Sequence, residues 1–188
     1  MIHSNYIRQN RIVAALTFFA SFFIYFSTMA STVSYWDCGE FIATAHTLGV
    51  PHPPGSPFFL LIGRVISMLP FHTDVAFRVN ILSPLSSALA VMLLYLVVVK
   101  VVTHWRGKIE NSTNAIIAFG GAAVGAMAFA FTDSHWFNAV EAEVYAISTF
   151  FTAIVVWLIL LWSEKADEAG HERYILIIAY MMGLATGL

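Results

Sequence analysis

Two short stretches concentrate the polar side chains of an otherwise apolar chain. The first runs Trp36-Asp37-Cys38-Gly39-Glu40-Phe41 and leads to the turn His52-Pro53-Pro54-Gly55-Ser56-Pro57. The second runs from Asp133 to Tyr145 and carries His135, Trp136, Glu141 and Glu143. In a membrane protein such a cluster is expensive unless it lies at the water boundary or does chemistry, and a well-placed carboxylate can serve as a general acid or base, worth roughly 10²–10⁴ in rate. Asp37 and Glu40 are three residues apart and share a face if the segment is helical. The same spacing also reads as a plain N-cap with its capping-box partner, so function and local structure compete for both residues. Prolines fix φ and hold His52 at low entropic cost. Arg64 and Arg78 follow, either as anion ligands or as snorkelling side chains whose heads reach water. His46 and His135 read as interfacial residues. Cys38 is the single cysteine, which excludes an internal disulfide and reads as a small residue at a helix start.

The elements that must position these groups are membrane helices. The chain is 59% hydrophobic and 11% charged, with a mean hydropathy of +0.77, whereas a soluble domain carries roughly 25% charged residues. The fold class is therefore all-α, a polytopic transmembrane helix bundle. The net charge of −2 argues against a nucleic-acid partner, which calls for a basic face. The run Ile12 to Met29 exceeds the roughly 7–15 apolar residues of a signal peptide and reads as a retained first span. Further spans are expected over 80–102, 115–131 and 144–162, and a fifth begins at 174 and is cut off at 188. Phe58 to Leu69 is bounded by Pro57 and Pro70, and so short a run suits an interfacial segment. Gly121 and Gly125 form a small-residue face suited to helix packing. The chain reads as one N-terminal transmembrane portion, 1–188, with later helices and any C-terminal domain absent.

Arg8 and Arg11 precede the first span, and Lys100, His104, Arg106 and Lys108 close the second. The positive-inside rule then places the N-terminus in the cytoplasm and both acidic loops on the outward side. Charged groups inside a membrane are costly and mark function when they occur. Here the carboxylates lie at helix ends and the spans lack them. A transporter or flippase, the alternative function, would place them near the midplane on broken helices. A non-catalytic assembly subunit is a third reading.

Trp-Asp-Cys-Gly-Glu-Phe-Ile, the His-Pro-Pro-Gly-x-Pro turn and Ala-Val-Glu-Ala-Glu-Val-Tyr together resemble the signature stretches of the protein O-mannosyltransferase-like family of GT-C membrane glycosyltransferases, which includes the vertebrate plexin O-mannosyltransferase. The resemblance runs from about Trp36 to Tyr145 and departs at Ser56, where members often carry Tyr. It implies an N-terminal part of a GT-C-type fold, with short amphipathic helices in the first outward loop. It implies transfer of a sugar, a mannosyl group first of all, from a polyprenyl-phosphate donor to a hydroxyl acceptor such as a protein Ser or Thr. The implied membrane is the bacterial inner membrane, or the endoplasmic reticulum in a eukaryote. Asp37 matches the family's reaction-centre acid, with Glu40 beside it as the second catalytic candidate. His52, Arg64, Arg78, Trp136, Glu141, Glu143 and Tyr145 are the substrate-binding candidates, with Trp36, Trp136 and Tyr145 able to stack on a sugar. The departing phosphate needs a cation, and Arg64, Arg78 or a divalent metal held by carboxylates are the alternatives. No metal-binding spacing is present, so no cofactor is assigned.

Overall fold

The computed structural model describes residues 4–188, Ser4 and Asn5 by backbone alone. Met1 to His3, the start of the polar N-terminal segment, lie outside the described residues. The chain runs through α1 (Ser4–Thr28), α2 (Cys38–Thr47), α3 (Pro57–Met68), α4 (Val75–Asn80), α5 (Leu82–Arg106), α6 (Ser112–Ala115), a π-helical turn (Ile116–Gly120), α7 (Gly121–Ala130), α8 (Asp133–Ala139), α9 (Val144–Ser163) and α10 (Glu172–Ala185). Every regular element among the described residues is helical. Four stretches are long and apolar enough to cross a membrane: Tyr6–Thr28, Val75–Arg106, Ser112–Ala130 and Val144–Ser163. With its hydropathy, this makes the chain a multi-pass membrane protein. The 14 residues of α10 are not among those stretches.

The bundle is built around α5, which packs against α1, α7 and α9. A helix apolar on all sides belongs inside a larger assembly or a membrane, and α5 buries Leu82, Ala88, Val91, Tyr95 and Val99. Polar groups are settled at both ends of this axis. At one end the Tyr25 hydroxyl donates to the carbonyl of Ala130 at 2.8 Å. Toward the other, the Tyr95 hydroxyl donates to Asn10 Oδ1 at 2.9 Å. There too Lys100 bonds Glu164 at 2.6 Å and lies 5.1 Å over the ring of Trp157.

The helix over 112–130 departs from the expected packing. Ala115, Ala118, Phe119, Ala122, Ala126 and Ala130 are its buried residues, and four of the alanines, from Ala118 on, form one row. A Cβ added at Gly121 or Gly125 would meet nothing within 4 Å. The alanines recur every four residues and turn inward, so the glycines face away from the bundle. The small-residue face does exist, but internal packing uses its alanine side.

A second core lies beneath the first polar loop. Phe41, Ile42 and Ala45 of α2 meet Phe59 and Leu60 of α3, Val79 of α4, and Ile147 and Phe151 of α9. Helices α2 and α3 approach closely because Gly63 has no side chain. A Cβ there would come within 2.9 Å of Ala45 Cβ. The turn into α3 passes through Gly55 (φ +98°) and Ser56 (φ +37°), with a cis bond between Pro53 and Pro54.

Candidate functional site

Both polar stretches come to the same end of the bundle. The backbone N–H of Ala30, just after α1, donates to Val140 O at 2.8 Å, which joins the two loops at their base. The Asn80 amide then donates to Ala30 O (2.8 Å) and Thr32 O (3.0 Å), fixing the approach to Trp36. Trp36 itself has φ +63°, an outlying conformation for a bulky residue. The chain turns there and opens α2 with Asp37 at its head.

Asp37 occupies the N-cap position, but its side chain makes no capping hydrogen bond and its backbone is already helical. Glu40 does not reach back to the cap either. The capping-box reading of this pair is therefore not realised, because Glu40 has a better partner. One of its oxygens accepts the His52 backbone N–H at 2.8 Å. The other accepts the ring N–H at Nδ1, at 2.7 Å. His52 Nε2 stands 3.9 Å from Asp37 Oδ2. The imidazole lies between two carboxylates, and the bonds to Glu40 push the His52 pKa up and the Glu40 pKa down. The rigid turn thus delivers an imidazole that holds its proton more readily to the shared face of Asp37 and Glu40. Ligand-type atoms of the three lie within 4.8 Å of one another. This is close enough to hold a metal, although His52 already satisfies Glu40.

The second loop supplies carboxylates of another kind. Glu143 N–H donates to Glu141 O at 2.9 Å, closing a three-residue turn on the fully buried Ala142. The two glutamates precede α9 rather than lying on it, so helical spacing does not separate them. Both line one cavity. Glu141 is 6% and Glu143 7% exposed. Glu141 Oε1 has no hydrogen-bond partner among the described residues. Burial, followed by the nearby charges of Asp37 and Glu141, raises the Glu143 pKa, while a hydrogen bond from Cys38 opposes the rise. That bond runs from Cys38 Sγ to Glu143 Oε1 at 3.5 Å and ties α2 to the second loop.

Two cavities meet here. One, of about 210 Å³, is lined by Trp36, Asp37, Phe137, Asn138, Glu141, Glu143 and Tyr145. The other, of about 280 Å³, has Asp37, His52, Ser56, Glu143, Tyr145 and Ser148 among its lining residues. Asp37, Glu143 and Tyr145 belong to both.

Of the residues expected from sequence, Asp37, Glu40, His52, Glu141, Glu143 and Tyr145 gather at this cleft. Arg64, Arg78 and Trp136 line neither cavity. The Arg64 guanidinium donates to the carbonyl of His46, and that of Arg78 to Leu69 O at 3.1 Å. Trp136 packs edge-on against Tyr25, 6.0 Å between centroids. His135, expected at the interface, is 7% exposed and packs against Phe129 at 4.3 Å. Burial lowers its pKa. Sequence reasoning missed Phe137, Asn138 and Ser148. Their signal is position: Phe137 and Asn138 share the turn of α8 before the glutamates, and Ser148 lies one turn beyond Val144.

Residues 37–188 match the family model described as the N-terminal domain of protein O-mannosyl-transferase TMEM260. The chain is 30% identical over 162 residues to protein O-mannosyl-transferase tmem260 of Dictyostelium discoideum, covering 85% of this chain and 18% of that protein. It is 30% identical over 180 residues to protein O-mannosyl-transferase TMEM260 of Mus musculus, covering 95% of this chain and 24% of that protein. The chain thus spans about a fifth to a quarter of the length of these relatives. No solved structure matches it.

Proposed function

The chain belongs to the family defined by the N-terminal domain of protein O-mannosyl-transferase TMEM260, and from that premise we propose that it forms the N-terminal part of a membrane mannosyltransferase. The donor is a polyprenyl-phosphate sugar and the acceptor a protein serine or threonine hydroxyl. The N-terminus is cytoplasmic and the cleft opens on the outward face, of the bacterial inner membrane or of the endoplasmic reticulum in a eukaryote. The observation that carries this reading is the shared wall of Asp37, Glu143 and Tyr145 between two cavities. A transfer between two substrates needs both of them beside one base.

In the proposed reaction the acceptor oxygen attacks the anomeric carbon of the donor sugar. The bond from that carbon to the phosphate oxygen breaks, and its electron pair leaves with the polyprenyl phosphate. The acceptor proton passes to the Asp37 carboxylate, the exposed acid facing both cavities. The aromatic side chains of Trp36, Phe137 and Tyr145 suit the apolar face of a pyranose, and Asn138 and Glu141 suit its hydroxyls. His52, whose protonated form Glu40 favours, lines the other cavity with Ser56 and Ser148, where an anionic leaving group gains from a fixed hydrogen-bond donor. Arg64 and Arg78 serve as braces on backbone carbonyls. A transporter reading gains nothing from this geometry, since the carboxylates lie outside the four apolar stretches.

The test uses the full-length protein in membranes, a radiolabelled polyprenyl-phosphate mannose and a Ser/Thr acceptor peptide. Wild type is expected to label the peptide, and Asp37→Asn to express and melt normally without doing so. Full turnover by Asp37→Asn would remove the aspartate from the mechanism.

A further inference from the structure

Cys38 is fully buried at the opening of α2, and its thiol reaches across 105 positions of sequence to Glu143 Oε1. This contact is the side-chain link between the two polar loops at the level of the cleft. It engages one carboxyl oxygen of a buried residue, Glu143 being 7% exposed. We propose that Cys38 is a positioning residue for the transfer reaction, its S–H fixing the Glu143 carboxyl across the cleft and setting when that carboxyl ionises. The proposal rests on the transferase reading for its role in turnover and on the thiol–carboxyl geometry for its existence.

The chemistry is one-directional. Burial pushes the Cys38 thiol up to about 12, so it remains a donor at any working pH. A donor favours the ionised acceptor, whereas burial and the neighbouring carboxylates favour the protonated one. The groups facing Glu143 are Asp37 and Cys38 from α2, His52 from the turn, Glu141 from its own loop, and Tyr145 and the Val144 N–H from the start of α9. Burial first, then Asp37 and Glu141, favours the proton on Glu143. The thiol is the side-chain donor working against them.

Glu143 ionisation can be read without turnover. A hydrophobic carbodiimide reacts with protonated carboxyls, and the pH dependence of Glu143 labelling in the full-length protein follows from peptide mass spectrometry. Cys38→Ala is expected to raise the labelling midpoint by about half a pH unit, the scale of a weak hydrogen bond. Cys38→Ser, which retains a donor, is expected to bring it back toward wild type. The pH profile of mannosyl transfer should move with the midpoint. An unmoved midpoint in Cys38→Ala overturns the proposal even where transfer continues. A moved midpoint in a protein that transfers no mannose overturns the transferase reading and leaves the coupling intact.

Discussion

Glu40 and Glu143 are the same side chain in the same cleft, yet their settings are opposite. Glu40 is exposed, grips the backbone and ring of His52, and has its pKa drawn down. Glu143 is buried, faces Asp37 and Glu141, and has its pKa raised. The first loop pairs its acid with a cation on a proline-rich turn, while the second crowds two acids into a closed turn on Ala142. In one loop the surroundings favour the ionised form of Glu40, and in the other the protonated form of Glu143. Environments that push the pKa values of neighbouring acids apart are what acid and base roles in one site require.

That contrast can be broken in order of expected effect. The largest loss is expected for Asp37→Asn, which removes the proposed base from the open side. Turnover is expected to fall by roughly 10²–10⁴ at an unchanged melting temperature, because Asp37 makes no capping bond. Gly63→Ala comes next. Its Cβ would press on Ala45 Cβ, and overpacking of this kind costs about 1–3 kcal/mol. The first loop should loosen while the Cys38–Glu143 contact persists, and chemical denaturation of the full-length protein would measure the loss.

Glu143→Gln sharpens the contrast from the closed side. A carboxyl with a raised folded pKa binds its proton more tightly in the folded state. Its stabilising contribution is fully present below the unfolded value, 4.5, and is lost as pH rises through the folded pKa. The melting temperature of Glu143→Gln should therefore gain on wild type as pH rises, and a flat difference would place Glu143 in water. His52→Gln has the smallest effect, because the pair with Glu40 is exposed and surface pairs contribute little. The raised His52 pKa gives stability that is present below 6.5 and lost as pH rises through the folded value. The lowered Glu40 pKa gives stability present above 4.5 and lost as pH falls through its folded value. The small deficit of His52→Gln should thus be greatest between these limits and shrink on either side.

The sequence made the open loop legible and the closed loop only half so. Asp37 and Glu40 share a face through their spacing, and the prolines mark His52 as fixed, so the first cluster follows from local rules. The four membrane-length stretches follow from hydropathy alone. The Cys38–Glu143 contact depends on two loops 105 residues apart, and no local pattern encodes it. The burial of His135 and the half-burial of Trp136 have the same cause, since both pack against Tyr25 of α1. Arg64 and Arg78 misled because a guanidinium beside carboxylates in sequence suggests an anion ligand, while in space the nearest acceptors are helix-end carbonyls. The small-residue face of α7 was visible as a pattern, but which side of it turns inward depends on where α5 lies.

The bond from Ala30 to Val140 rivets the two loops at their roots. Jaws joined at the hinge side keep their fixed end there, by about 1 kcal/mol for one such bond. Three rings of the same cavity wall, Trp36, Phe137 and Tyr145, stand 84%, 53% and 60% exposed, so the wall is also a surface open to whatever approaches.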